Sequence, residues 1–173
     1  LRPVWIVPIL LALGFFPSGG PAGELSEVSA APRPALTLPD LDGEQRSLDD
    51  FAGKVLLVNF WASWCRPCLE EMPSIQRLAA ELGEESFAVI GVNVAEGIRR
   101  VQATVKRLGL AFPVLLDKDQ VAFNNWGATV LPTTYILDGA GRVRYVGRGP
   151  LEWDRTDVVE LLQNLASQPP KNP

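Results

Sequence analysis

Residues 55–62, VLLVNFWA, are apolar throughout except for Asn59, and they run straight into SWCRPCLEEMP. An apolar run of this length reads as a strand buried on both faces. The segment after it changes period: Ile75, Leu78, Ala79 and Leu82 recur at helical spacing, and Gly83 ends the pattern. The spacing predicts a helix from about Arg66 to Leu82, kinked by the internal Pro73. A strand hidden on both faces needs helices on each side of its sheet, so this junction directs the chain towards an α/β fold.

The flanking segments fit that frame. LTLPDLDGEQRSL places two short extended pieces around Asp42-Gly43, a hairpin signal. FAVIGVNV is a second buried strand, and IRRVQATVKRLG is a helix with Ile98, Val101, Val105 and Leu108 on one face. FPVLL reads as a short strand and QVAFNNWG as a short helix. TTYIL, DGAG and RVRYVG make a strand–turn–strand unit, and a last helix covers roughly Trp153 to Ala166. The alternation in the middle implies a parallel pair, whereas the late hairpin is antiparallel. The expected architecture is a central mixed sheet flanked by helices, with an N-terminal β-hairpin.

Ahead of this domain, Arg2 precedes PVWIVPILLALGFF, and no further charge appears before Glu24. A basic start followed by an apolar run marks a targeting segment, and the domain is expected to be extracytoplasmic. VSA at 28–30 would serve as a cleavage site, while the uncharged stretch from Pro3 to Gly23 is long enough for a retained membrane anchor. Residues 17–35 are rich in Pro, Gly, Ser and Ala and read as a flexible linker. The expected division is signal or anchor with the start of the linker at 1–30, linker at 31–35, folded domain at 36–168 and tail at 169–173.

Composition narrows the chemistry. The net charge of −4 argues against a nucleic-acid partner, which calls for a basic face. The chain has no histidine, which removes imidazole acid–base catalysis, His metal ligation and Ser–His or Cys–His pairs. Its two cysteines, Cys65 and Cys68, are too few for a Cys/His zinc site. Thiol chemistry remains. Both cysteines fall where a central strand ends and a helix begins, the usual position of sites in α/β sheets. Cys65 at the helix N-terminus would be stabilised as a thiolate, its pKa falling from about 8.5 into the range of roughly 3.5–7.5. Cys68, one turn further in, could then attack a mixed disulfide held on Cys65. A purely structural bridge over so short a loop constrains little of the unfolded chain. A Cu(I) carrier using both sulfurs and Met72 is the competing reading.

VLLVNFWASWCRPCLEEMP together with VLPTTYILDGAGRVRYVG resembles the TlpA/ResA-like family of thiol-disulfide oxidoreductases, of thioredoxin fold in the AhpC/TSA-redoxin branch. The likeness runs from about Leu38 to Leu165 and includes the strand–helix insert around 87–109. It implies a thioredoxin-like fold, with Cys65 as nucleophile and Cys68 as resolving thiol. It further implies a cis Pro132 facing the disulfide, with Leu131 lending its backbone to a substrate strand. Trp64, Arg66 and Pro67 complete the expected substrate-binding set, Trp64 as a partly exposed wall. Thioredoxin carries a buried aspartate where this chain has Asn59, and Glu71, on the helix face of Cys68, is the expected substitute that relays its proton. Thr133 stands where the cytochrome-maturation branch has Glu, and the pattern of a peroxiredoxin-type thiol peroxidase, kept as a further alternative, is absent. The redox centre is the Cys65–Cys68 pair, with no separate cofactor and no metal. The implied partners are protein thiols or disulfides, such as those of apocytochrome c or a copper site, and a membrane electron donor of the CcdA/DsbD type. The domain is expected to act as a monomer, in the periplasm or on the outer face of the cytoplasmic membrane.

Overall fold

The computed structural model describes residues 23–168. The segment read as signal or anchor and the tail at 169–173 lie outside the described residues, apart from the stretch that begins at Gly23. Strand β1 (Glu24–Pro32) comes first, followed by the small hairpin β2 (Thr37–Pro39) and β3 (Gln45–Ser47) and a 3₁₀ turn at Leu48–Phe51. Next come β4 (Val55–Trp61), α1 (Arg66–Leu82), β5 (Phe87–Val94), α2 (Ile98–Leu108) and β6 (Val114–Asp117). The chain finishes with α3 (Val121–Asn125), β7 (Thr133–Leu137), β8 (Arg142–Arg148) and α4 (Thr156–Ser167).

Six strands form one mixed sheet in the order β1-β8-β7-β4-β5-β6. β4, β5 and β6 are parallel, while β7, β8 and β1 are added antiparallel. β4 is central and every one of its residues is buried. Its side chains alternate between two cores. Val55, Leu57 and Trp61 join Ile75 and Leu78 of α1, Val101 of α2 and Leu162 of α4. Leu56, Val58 and Phe60 join Ala122 of α3, Trp126 and Tyr135 on the other side. The expected mixed sheet with helices on both faces, of thioredoxin-like type, is the fold observed.

Two local expectations need correction. Residues 24–32, read as linker, form an edge strand: Glu24 lies opposite Arg148 and Pro32 opposite Arg142, with a bulge between Glu27 and Ala31. Only Leu25 and Val28 of this strand pack on the cores, so its small residues look like linker until β8 supplies the hydrogen-bonding partner. Helix α1 spans Arg66–Leu82 as the spacing predicts, with Pro73 inside it on the exposed side. Helix α4 starts at Thr156, so Trp153 precedes it and is wholly buried. Among the described residues no helix is long and apolar enough to cross a membrane.

Candidate active site

The site is built on the carboxyl end of β4. After Trp61 the chain makes one tight turn, closed by the Cys65 N–H donating to the Ala62 carbonyl at 3.1 Å, and then enters α1. Cys65 is the N-cap of α1, and the Cys68 N–H donates to its sulfur at 3.3 Å. Pro67 sits within the first two helical positions, where its missing N–H would have no intrahelical partner. Cys65 and Cys68 are joined in a disulfide, with Cys65 5% exposed and Cys68 fully buried. Cys65 is therefore the more exposed of the pair. Trp64 beside it is 64% exposed, whereas Trp61 is core. Arg66 is exposed and paired with Glu70 at 2.7 Å across one turn.

The Leu131–Pro132 peptide is cis, just ahead of β7. Leu131 is half-buried against both cores, including the one that holds the two cysteines. Its N–H and C=O take no hydrogen bond from the described residues, while the Pro132 carbonyl accepts from Gly149 N–H at 3.0 Å.

Glu71 lies one turn beyond Cys68 and is only 2% exposed, deeper than its position in the sequence implied. Three donors hold its carboxylate: Asn59 Nδ2 at 2.7 Å, the Leu151 N–H at 3.1 Å and Trp153 Nε1 at 3.2 Å. Burial pushes its pKa up to about 7, against the downward pull of the hydrogen bonds from Leu151, Trp153 and Asn59, with a small further rise from the charge of Glu152. A surface recess of about 250 Å³, lined by Glu70, Glu71, Pro150, Leu151, Glu152 and Arg155, lies over this carboxylate. Such a group takes up or releases a proton near neutrality.

Asn59 and Trp153 were not singled out from the sequence as members of this site. Asn59 did carry a signal, since a buried amide within an apolar strand must find partners. It donates to Thr134 Oγ1 at 2.8 Å as well as to Glu71. Trp153 is core packing, and its indole N–H also reaches across 82 positions of sequence to Glu71. Met72 is fully buried in the same core as both cysteines. Among the described residues no group of three or more Cys, His, Asp or Glu is arranged to hold a metal.

The chain matches known proteins in the same terms. Residues 30–146 match the model of the AhpC/TSA family. The thiol-disulfide oxidoreductase ResA of Geobacillus thermodenitrificans is 31% identical over 95% of this chain and 94% of its own. The thioredoxin-like protein YneN of Bacillus subtilis is 37% identical over 68% of this chain and 70% of its own. The crystal structure of a DsbF homologue from Corynebacterium diphtheriae is 28% identical, with a TM-score of 0.71 over 86% of this chain and 98% of that one. Fold, motif order and likeness along nearly the whole chain agree: it belongs to the AhpC/TSA family, among its ResA-like thiol-disulfide oxidoreductases.

Proposed function

We propose that this oxidoreductase works outside the cytoplasm as a reductant of protein disulfides. The observation that carries the reading is a CxxC disulfide at a helix N-terminus with a buried carboxylate, poised near neutral pH, one turn behind it. In the reduced state the Cys65 thiolate attacks one sulfur of a substrate disulfide. That bond breaks, a mixed disulfide forms and one substrate thiolate leaves. Cys68 then gives its proton to Glu71, and its thiolate attacks the Cys65 sulfur. The Cys65–Cys68 bond forms, the second substrate thiolate leaves, and two electrons have passed from enzyme to substrate.

Trp64, Arg66 and Pro67 flank the entering substrate on one side, with Leu131 and Pro132 on the other. The unpartnered backbone of Leu131 supports pairing with an extended peptide. The substrates we assign are apocytochrome c or the cysteine pair of a copper site, and the domain acts as a monomer. Re-reduction comes from a membrane dithiol donor of the CcdA/DsbD type, with the N-terminal apolar segment as signal or tether. The reduction potential tests the direction of flow. A value near −270 mV, about that of thioredoxin, marks a reductant, whereas one near −120 mV, about that of DsbA, overturns the reading in favour of an oxidant.

A further inference from the structure

The carboxylate of Glu96 lies in the loop after β5, outside the cysteine motif, and it is 7% exposed. It accepts three hydrogen bonds. The Ser63 N–H donates to Oε2 at 2.6 Å, the Ser63 hydroxyl to Oε1 at 2.5 Å, and Asn93 Nδ2 to Oε2 at 2.8 Å. Ser63 is the first of the two central residues in the turn from Ala62 to Cys65, and Trp64 is the second. Glu96 therefore grips, from the loop after β5, the turn that presents Trp64 and seats Cys65 as the cap of α1.

The grip rests on a fixed base. Asn93 is 1% exposed and lies opposite Trp61 in the β4–β5 register. Ala95 adopts a left-handed backbone, φ 59°, which is unfavourable for a residue with a β-carbon. Its N–H is tied to the Asp117 carbonyl at 3.0 Å. Backbone held in such a conformation marks a place where the surroundings dictate geometry.

We propose that Glu96 is a positioning residue for the thiol–disulfide reaction. It locks the Ser63–Trp64 turn against β5 so that the Cys65 sulfur stays at the N-terminus of α1, where its thiolate is stabilised. The pairing has a chemical consequence that permits a sharp test. A glutamine at position 96 can keep every contact: its Oε1 accepts from Ser63 N–H and Asn93 Nδ2, and its Nε2 donates to the Ser63 oxygen, because a hydroxyl both donates and accepts. Alanine keeps none of them.

The test uses the full chain. Attack on an aromatic disulfide probe, 5,5′-dithiobis(2-nitrobenzoate), is followed at neutral pH. Thiolate formation at Cys65 is followed against pH in a Cys68→Ser background. Glu96→Ala is expected to slow the attack about tenfold, in the range seen when a reacting group is misplaced, and to move the thiolate midpoint to higher pH. Glu96→Gln is expected to restore both, and Ser63→Ala, which keeps the N–H contact, to fall between. Should Glu96→Ala lower the melting temperature yet leave rate and midpoint unchanged, the residue is merely structural and the proposal fails. It fails equally if Glu96→Gln behaves like Glu96→Ala, since charge rather than hydrogen-bond geometry would then be at work.

Discussion

Glu71 is the one buried carboxylate placed directly behind the cysteines, and its titration has a sign that can be worked out. Its folded pKa of about 7 lies above the ordinary 4.5, so the folded state binds this proton more tightly than the unfolded chain does. The contribution to stability is complete below pH 4.5 and is lost as pH rises through 7. The gap is worth roughly 3 kcal/mol at about 1.36 kcal/mol per pH unit. We expect denaturant melts of the oxidised protein to lose about that much between pH 4 and pH 8 relative to Glu71→Gln, whose neutral amide does not titrate. Parallel profiles for the two proteins would refute the buried charge. The same carboxylate disfavours a thiolate at Cys68, so Glu71→Gln should lower the Cys68 pKa, read in a Cys65→Ser background where only Cys68 titrates, and, with both cysteines present, slow disulfide resolution near neutrality. Thiolate absorbance against pH reads the first effect, and a matching curve for the parent would sink the relay. Asn59 tunes the relay, because its donor stabilises the charged form of Glu71. Asn59→Ala should therefore raise the Glu71 pKa above 7, as read from the carboxyl carbon shift. An unmoved value would show that Leu151 and Trp153 suffice.

Strand β1 shows best what an element needs besides its own residues. It carries two half-buried apolar side chains, Leu25 and Val28, and otherwise depends on pairing with β8. Deleting residues 1–33 should therefore cost at least about 2 kcal/mol in denaturant melts compared with deletion of residues 1–22, from the lost apolar burial alone. It should also leave the β8 edge open to self-association, visible in size-exclusion profiles. Equal stability of the two truncations would mean the strand is dispensable. The contrast with β4 and α1 explains what was legible. Those elements declare themselves through apolar period and through Gly83, so Arg66–Leu82 could be read to the residue. The cysteine positions followed from that junction. A strand of serine, alanine and glutamate does not declare itself, because its reason for being extended lies in a partner more than a hundred residues later. The donors to Glu71 from Leu151 and Trp153 escaped for the same reason, as did the Glu96 grip on Ser63: each joins segments far apart in the chain.

At the scale of the whole molecule, the place where the chain enters the domain bears on its partner. Glu24 opens β1 opposite Arg148, and Arg148 lies opposite Thr133, the residue after the cis-proline. The Gly23 N–H donates to the Pro150 carbonyl at 2.7 Å, one residue before the Leu151 N–H that holds Glu71. The backbones come so close that a β-carbon on Gly23 would lie 2.5 Å from the Gly149 oxygen. The polypeptide thus arrives at the cysteine end of the sheet, whereas the β7–β8 turn at 138–141 lies at the opposite end. Residues 17–22 can span at most about 20 Å when fully extended. If the N-terminal apolar segment is seated in a bilayer, as proposed above, the cysteine end would be held near the membrane surface, within reach of the proposed membrane dithiol donor. Two single-cysteine proteins test this in a Cys65→Ser, Cys68→Ser background: Trp64→Cys at the near end and Ala140→Cys at the far end. On phosphatidylcholine–phosphatidylglycerol vesicles a bulky polyethylene-glycol maleimide should label position 64 several-fold more slowly than position 140. A flexible insert of about twenty Gly and Ser residues after Gly20 adds roughly 25 Å of reach and should abolish the difference. A chain that does not float with vesicles removes the tether itself. One that floats while both positions label alike keeps the tether and refutes only the orientation.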